Sequence, residues 1–121
     1  MTLHISEVSI GDPVSDSIGS DQFRYYIFPF LNGGVTIRVE VFSGSAWCYA
    51  SDTNRNPNSR DYIWRLYISE YNDSFIDPAS LGRAAGTYLF VAIEGSGFTN
   101  DFTLNSTMDD TSIASKNHTQ M

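Results

Sequence analysis

Cysteine and histidine are scarce in this chain of 121 residues, which has one cysteine and two histidines. A single cysteine cannot form a disulfide within the chain, and a zinc site would need more cysteine and histidine ligands. His4 and His118 lie in the terminal segments, where neither is well placed as a general base in a rigid cleft. We expect Cys48 to be a buried, unreactive thiol, because no activating base lies near it in the sequence.

Positive charge is also scarce: seven Lys and Arg residues face fourteen Asp and Glu residues, and the formal net charge is −7. This charge repels phosphate backbones and anionic head groups, so nucleic acid is not an expected partner. No apolar run approaches the ~20 residues that a spanning helix needs, so membrane insertion is not predicted. The first residues, MTLHISEVSIGD, lack the basic and apolar regions of a secretory signal.

Recognisable catalytic motifs are missing as well. The sequence has no G-x-S-x-G nucleophile elbow, no phosphate-binding P-loop and no H-E-x-x-H zinc motif. The adjacent carboxylates Asp109 and Asp110 lie in a segment without periodicity, where the fixed geometry of a glycosidase site is not expected. These absences predict a protein that is not an enzyme.

Strand patterns dominate what is present. In residues 35–42, apolar Val and Ile alternate with Thr, Arg and Glu, as expected for a strand with one buried face and one wet face. Clusters of Gly, Asn, Asp and Ser separate several such segments. The predicted strands are residues 23–30, 35–42, 46–51, 62–68, 87–93 and 98–104, with 3–10 as a weaker candidate. Together they predict a single antiparallel β-sandwich of jelly-roll type, with about seven to nine strands.

The remaining segments set the predicted boundaries. Residues 1–105 are assigned to one sandwich domain, and residues 106–121 to a flexible tail with few large apolar side chains. Pro29 should lie at a strand end or on an edge, because it cannot donate a ladder hydrogen bond. Residues 77–86 contain the one helix-like pattern, in which Asp77 caps and Pro78 starts a short turn.

Residues 87–93 are apolar on both alternating faces, unlike the other predicted strands. One face carries Tyr88, Phe90 and Ala92, and the other carries Leu89, Val91 and Ile93. Two interpretations are open: a central strand shielded by neighbouring side chains, or a strand that contributes to a homodimer contact.

A polar loop follows the cysteine-containing strand and carries oxygen-bearing side chains at alternate positions. Calcium prefers six to eight hard oxygen ligands, so Asp52, Asn54, Asn56 and Asp61 are candidate ligands for a calcium ion. The EF-hand pattern is not met, because proline stands at the sixth position and isoleucine at the twelfth. A solvated turn is the simplest interpretation, since Asn, Asp, Ser and Pro are common in exposed turns.

A third interpretation of the loop is a ligand-binding rim. Aromatic residues flank it, and an apolar wall beside a few polar groups is typical of small-ligand sites. Trp47 and Tyr49 share a strand face opposite the cysteine, so we predict that both are exposed. Trp64, which we place on one strand face with Tyr62, is instead predicted to lie in the core. The candidate ligand-binding residues are Trp47, Tyr49, Asn54, Asn56, Asn58 and Tyr62.

Several phrases, in order along the chain, resemble the bacterial pre-peptidase C-terminal domain, a β-sandwich module attached to secreted proteases and collagenases. The matching phrases are GDPVSDSIGSDQFRYYIFPF, GGVTIRVEVFSGSAWCYAS, SRDYIW, GTYLFVAIEGSG and FTLNST. The resemblance covers residues 10 to 107 and implies a secreted, non-catalytic module for recognition, targeting or adhesion, with a polysaccharide or an extracellular protein as partner.

The chain departs from that family at three places. Trp47, Cys48 and Tyr49 stand where the family often has Asp-Leu-Tyr, and Tyr88 alone represents the exposed tyrosines of collagen-binding members. The acidic segment that holds calcium in those members is reduced to scattered Glu7, Asp12 and Asp16.

The alternative to such a module is a free-standing lectin that depends on calcium and gains avidity by dimerising. Three N-x-S/T sequons, at Asn72, Asn105 and Asn117, lean slightly toward secretion.

Overall fold

The computed structural model describes residues 5–29, 35–77 and 88–108, and the regular structure in these ranges is β-strand. The strands are β1 Ile5–Glu7, β2 Val14–Gly19, β3 Phe23–Pro29, β4 Val35–Ser43, β5 Ser45–Ser51, β6 Trp64–Ser69, β7 Asn72–Ile76, β8 Tyr88–Gly95 and β9 Thr99–Met108. The all-β prediction is therefore confirmed, whereas the predicted turn after Asp77 lies outside the described residues. In this part of the chain no helix is long and apolar enough to cross a membrane.

The strands form two sheets, one with the order β1-β3-β8-β5-β6 and the other with the order β2-β9-β4-β7. Successive strands from β2 onward alternate between the sheets except at the β5–β6 hairpin, which gives the double-sheet arrangement of a jelly roll. The predicted sandwich is confirmed with one correction, since β1 pairs with β3 in parallel while the other pairs are antiparallel.

The core lies between the two sheets and is filled by the alternating apolar residues of each strand. On β4 the residues Val35, Ile37, Val39 and Val41 are at most 1% exposed, as their period of two predicts. They form one core cluster with Leu89, Val91 and Ile93 of β8, with Tyr26 and Phe28 of β3, and with Phe102 of the neighbouring strand β9. Cys48 is fully buried in the same core, and burial raises the pKa of its thiol, which agrees with the predicted unreactive role.

Strand β8 is central in the five-stranded sheet, between β3 and β5. Its second apolar face points outward, yet Phe90 is 8% exposed and Ala92 is fully buried, because side chains of the adjacent strands cover them. This position matches the interpretation of a shielded central strand. The homodimer contact stays a prediction.

Two strands escaped the sequence analysis, β2 and β7, and both lie at edges of the four-stranded sheet. Each fully buries one residue at or near its C-terminal end, Ile18 in β2 and Ile76 in β7. Apart from the half-buried Val14 of β2, which packs against the core, the larger side chains of both strands are polar or exposed. Pro29 ends β3, as predicted. The predicted boundary after residue 105 falls inside β9, whose last residues pair with Val35–Ile37 of β4, and the mobility of residues 109–121 stays a prediction.

Candidate recognition face

The outer surface of the five-stranded sheet is rich in aromatic side chains. Strand alternation and register place these residues side by side on the face that points away from the core. One cross-strand row consists of Phe23, Glu94, Trp47 and Tyr67, and the next consists of Tyr25, Ala92, Tyr49 and Arg65. We call these two rows, together with Tyr62, the aromatic face.

The rings on this face pack mainly against one another. Trp47 and Tyr49 lie 9° from parallel with centroids 6.3 Å apart, and Tyr67 lies 4.9 Å from Trp47 in a tilted contact. The guanidinium carbon of Arg65 lies 4.3 Å from the centre of the Trp47 ring, which is a cation–π contact. The Trp47 ring thus contacts Arg65 and Tyr67 within the protein, while Tyr67 stays 51% exposed.

Tyr49 is the fixed element of the aromatic face. Its side chain is 2% exposed, and its hydroxyl donates a hydrogen bond of 3.1 Å to Oε1 of Glu94. Burial first, and then the hydrogen bond and negative charge of Glu94, raise the pKa of Tyr49 to about 12. Tyr49 therefore stays neutral at physiological pH and holds the glutamate carboxylate in one orientation.

A matching pair of rings lies on the other side of β8. Phe23 and Tyr25 are stacked with centroids 5.8 Å apart and planes 8° from parallel. Phe23 and Trp47 are directly opposite Glu94 on the two neighbouring strands, and residues so placed have side chains in contact range. The half-buried Glu94 carboxylate is thus flanked by aromatic side chains on both sides.

The polar loop after β5 is held together by its own side chains. Oδ1 of Asn54 accepts a hydrogen bond from the backbone N–H of Asn56, and Oδ1 of Asn58 accepts one from that of Arg60. These contacts across two residues are Asx turns. Nδ2 of Asn54 also donates to the backbone carbonyl of Asp61, which closes the loop. The alternate spacing of asparagines therefore has a backbone explanation that does not require a metal.

The metal prediction receives no further support from side-chain placement. Within residues 5–29, 35–77 and 88–108, no group of three or more His, Cys, Asp and Glu side chains is placed to hold a metal ion. Asp16, one of the scattered acids from the family resemblance, instead accepts a hydrogen bond from Nε of Arg24 at 3.1 Å. Calcium binding by Asp52, Asn54, Asn56 and Asp61 stays a prediction.

The predicted ligand-binding residues separate into two groups. Trp47, Tyr49 and Tyr62 come together, with the Tyr62 ring 6.1 Å from that of Tyr49. Two details of the prediction were wrong. Tyr49 is buried, because its neighbours cover it. Tyr62 does not share a strand face with Trp64, because β6 begins only at Trp64, so Trp64 packs on the core and Tyr62 on the outer face.

Asn54, Asn56 and Asn58 lie in the loop beyond the end of β5, where they shape the turns described above. Sequence analysis missed Arg65 and Glu94 as members of the face. Arg65 lies inside a predicted strand, in phase with Tyr67, and Glu94 lies one residue beyond the predicted strand 87–93, in phase with Tyr88 and Phe90. This phase can be read from the sequence. The cross-strand register that brings the two positions onto one face cannot.

Of the clefts that lie away from the aromatic face, two contain ion pairs in their walls. One of about 430 Å³ opens beside β1 and β2, where the Arg24–Asp16 ion pair and Tyr26 lie at its wall. The other, of about 310 Å³, lies on the four-stranded sheet beside Arg38 and Tyr71.

Of the three N-x-S/T sequons, Asn72 is exposed and Asn105 is half-buried, whereas Asn117 lies outside the described residues.

Comparison with known proteins identifies a shared fold. No known family and no curated protein matches the sequence. Among solved structures, the chain is similar to the pre-peptidase C-terminal domain of a collagenase from Bacillus anthracis, with a TM-score of 0.59 and 11% identity over 88% of this chain and 98% of that one. It is also similar to PliG, a periplasmic inhibitor of g-type lysozyme from Aeromonas hydrophila, with a TM-score of 0.56 and 13% identity over 85% and 96%.

At these identities the likeness concerns the fold alone. The resemblance to the pre-peptidase C-terminal domain, first seen in ordered sequence phrases, is thus confirmed at the level of the sandwich. Of the two neighbours, one is a domain of a larger protein and the other an inhibitor of an enzyme.

Proposed function

We propose that this chain is a non-catalytic recognition module whose aromatic face binds the surface of another protein outside the cytoplasm. The observation that carries the proposal is the exposed cluster of Tyr67, Tyr62 and Arg65 around the half-buried Trp47. Trp, Tyr and Arg are the residues most enriched at the energetic centres of protein interfaces. Their rotamers are restrained by mutual packing, so little side-chain entropy is lost on binding.

A protein partner fits this geometry better than a polysaccharide does. Stacking on a sugar needs an open ring face, but Trp47 lies under Arg65 and beside Tyr49 and Tyr67. What the cluster offers to solvent is the side chain of Arg65 and the exposed parts of Tyr62 and Tyr67. A polysaccharide ligand is therefore the alternative outcome of the test, and a calcium-dependent, dimeric lectin is its specific form.

The comparisons support the proposal only in part. The name of one neighbour states that it inhibits a lysozyme in the periplasm, which is a protein partner outside the cytoplasm. The other neighbour is a domain of a collagenase. A role outside the cytoplasm for this chain rests on these likenesses and on the sequence resemblance.

The proposal is tested by a binding screen with two matched tyrosine variants. The purified chain is immobilised and exposed to g-type lysozyme, to collagen and to a glycan array, with and without a chelator. Tyr67→Ala removes an exposed ring of the aromatic face, and Tyr71→Ala removes a ring that is 82% exposed in the turn between β6 and β7. We expect a protein ligand whose binding falls at least about tenfold in Tyr67→Ala and stays unchanged in Tyr71→Ala.

Three results would contradict the proposal. Equal loss in both variants would remove the aromatic face as the binding surface. Binding to glycans alone would replace the protein partner with the polysaccharide alternative, and dependence of that binding on calcium, together with a dimeric mass, would identify the lectin form. No binding to any member of the screen would leave a structural spacer as the better description.

A further inference from the structure

We propose that Glu94 is the specificity-determining residue of the aromatic face and accepts a lysine or arginine side chain from the partner protein. This inference rests on the proposed function and names the chemistry of the partner. Its basis is the placement of a single half-buried carboxylate between aromatic rings of two neighbouring strands.

Glu94 is distinguished by its charge on this surface. At the outward positions of β3, β5, β6 and β8, all within the described ranges, it is the one carboxylate and Arg65 is the one cation. The ion pairs in the described part of the chain join Arg24 to Asp16, and Arg38 to Glu40 and Asp73, and none involves Glu94. Its carboxylate is therefore available to an incoming cation.

The surroundings of Glu94 are suited to a long basic side chain. Phe23 and Trp47 lie directly opposite on either side, and the ring of Phe23 presents apolar surface that can contact the methylene stem of lysine or arginine. The same rings reduce the access of water to the carboxylate, and lower local polarity strengthens a charge-assisted hydrogen bond. Aromatic rings beside a carboxylate thus favour a cation with an apolar stem over a small hydrated ion.

Tyr49 prepares the carboxylate for binding. Its hydroxyl donates to one carboxylate oxygen, Oε1, at 3.1 Å, and its buried ring fixes the position of that donor. The other oxygen is left for a partner. A group already held in its bound orientation loses less entropy when the partner arrives, which improves both affinity and specificity.

The charge of the whole chain favours the same partner. A formal charge of −7 attracts a basic protein surface and repels an acidic one. Arg65 directs the contact, because its guanidinium already lies over Trp47 and repels a second cation there. The incoming side chain is therefore expected on the side of Glu94 that faces Phe23.

The test uses two short peptides that differ in one charge. Gly-Ser-Arg-Ser-Gly and the same peptide with citrulline in place of arginine are titrated into the isotope-labelled protein, and amide and indole shifts are followed by NMR. Citrulline keeps the shape of arginine and removes the positive charge. We expect saturable shifts at Glu94, Phe23 and the Trp47 indole with the arginine peptide, and at least about tenfold weaker binding of the citrulline peptide.

Two glutamate variants complete the test. Glu94→Gln keeps an acceptor for Tyr49 but removes the charge, and it should weaken the arginine peptide at least about tenfold. Glu40→Gln removes a half-buried carboxylate from the opposite sheet, where it pairs with Arg38, and should leave binding unchanged. Thermal unfolding of both variants confirms that they fold, and the peptide comparison on the unaltered chain does not depend on them.

The outcomes separate this inference from the proposed function. Equal binding of both peptides, shifts spread over the whole surface, or the absence of any shift would overturn the role of Glu94. If Tyr67→Ala still abolishes binding of a protein in the screen, the recognition module stands without a basic anchor. If Tyr67→Ala has no effect while the arginine peptide binds at Glu94, the site is real and the proposed extent of the face is wrong.

Discussion

Asn100 and Gly97 are joined by two reciprocal hydrogen bonds: the Gly97 backbone N–H donates to Oδ1 of Asn100 at 2.8 Å, and Nδ2 of Asn100 donates to the Gly97 carbonyl at 2.9 Å. The same fully buried amide accepts from the N–H of Ser45 and donates to the carbonyl of Ile18. One side chain thus satisfies four backbone groups and connects β2, the start of β5 and the turn before β9. Buried backbone groups need such partners because leaving them unpaired is costly.

Replacing Asn100 with alanine should destabilise the fold strongly. Two backbone N–H groups and two carbonyls would lose their partner, and we expect a loss of about 3 kcal/mol in the free energy of unfolding. Urea denaturation measures the loss, and Asn105→Ala on the same strand is the matched control, because Asn105 is half-buried and bonds at 3.4 Å to Glu40. Similar losses in both variants would show that the four contacts have no special weight.

Asn100→Asp tests the donor role of the amide separately. The new oxygen would face the carbonyls of Ile18 and Gly97, where a donor is required, so repulsion should destabilise the fold near neutral pH. A protonated carboxyl group can donate, so the pKa of the new acid should be raised in the folded state and part of the stability recovered as pH falls. Denaturation of this variant at acidic and neutral pH, relative to the unaltered chain, checks the direction. A loss that does not depend on pH would contradict the donor role.

Gly95 lies beside this amide and should not accept a side chain. A Cβ atom there would lie 2.2 Å from the Gly19 carbonyl oxygen and 2.6 Å from Nδ2 of Asn100. We expect Gly95→Ala to lower the free energy of unfolding by about 2–3 kcal/mol, because the obstructing atoms are backbone and a fixed amide. In Gly19→Ala the nearest atom is 3.2 Å away, at the end of the flexible Gln22 side chain, so the loss should be smaller. The reverse order would contradict the packing argument.

The sequence predicted strands where apolar alternation was strong and missed them where it was weak. In β4 four apolar residues in phase sufficed, because a buried sheet face requires that period. In β7 only Ile76 is buried, so the residues of this strand show no apolar alternation. The strand is instead determined by its backbone hydrogen bonds to β4. Edge strands of this kind depend on a partner that is distant in sequence, so their residues carry little signal of their own.

The aromatic face was predictable in part for a related reason. Trp47 and Tyr49 sit two positions apart on one strand, and a period of two shows that they share a face. Glu94 lies forty-five residues after Tyr49 in the sequence, and only the register of the strands brings the two side chains into hydrogen-bond contact. Burial of Tyr49 follows from the same long-range packing, so the sequence could not distinguish an exposed ring from a covered one.

Tyr49 is therefore expected to stabilise the fold as well as the site. Tyr49→Ala would empty a position that is 2% exposed and remove the hydrogen bond to Glu94, at a cost of about 3 kcal/mol. Tyr67→Ala, at a position that is 51% exposed, should cost about 1 kcal/mol or less. This replaces the sequence-based expectation that Tyr49 is exposed. Thermal and urea unfolding of the two variants check the difference. Equal melting temperatures would contradict the burial of Tyr49 and support the original prediction that it is exposed.

Alkaline pH should weaken the folded state through its buried tyrosines. Tyrosine ordinarily has a pKa of 10.0; burial and Glu94 raise that of Tyr49 to about 12, and burial followed by Asp16 raises that of Tyr26. Between these values the unfolded chain has released protons that the folded chain still holds, so the free energy of unfolding falls as pH rises. Urea denaturation at increasing pH should show this fall, less steeply in Tyr49→Phe. An identical slope in that variant would contradict the raised pKa.

The hydrogen bonds of the polar loop lead to a test of the calcium prediction. Because Oδ1 of Asn54 and Asn58 already accepts backbone N–H groups, we expect the loop to keep its shape without a cation and the melting temperature not to rise with calcium. Asn54→Ala should then destabilise the fold modestly, and equally with calcium or with a chelator. A cation bound only by the folded state would instead raise the melting temperature with concentration. If such a rise occurred and disappeared in Asp61→Asn, the loop would be a calcium site, and the turn contacts would be its second role.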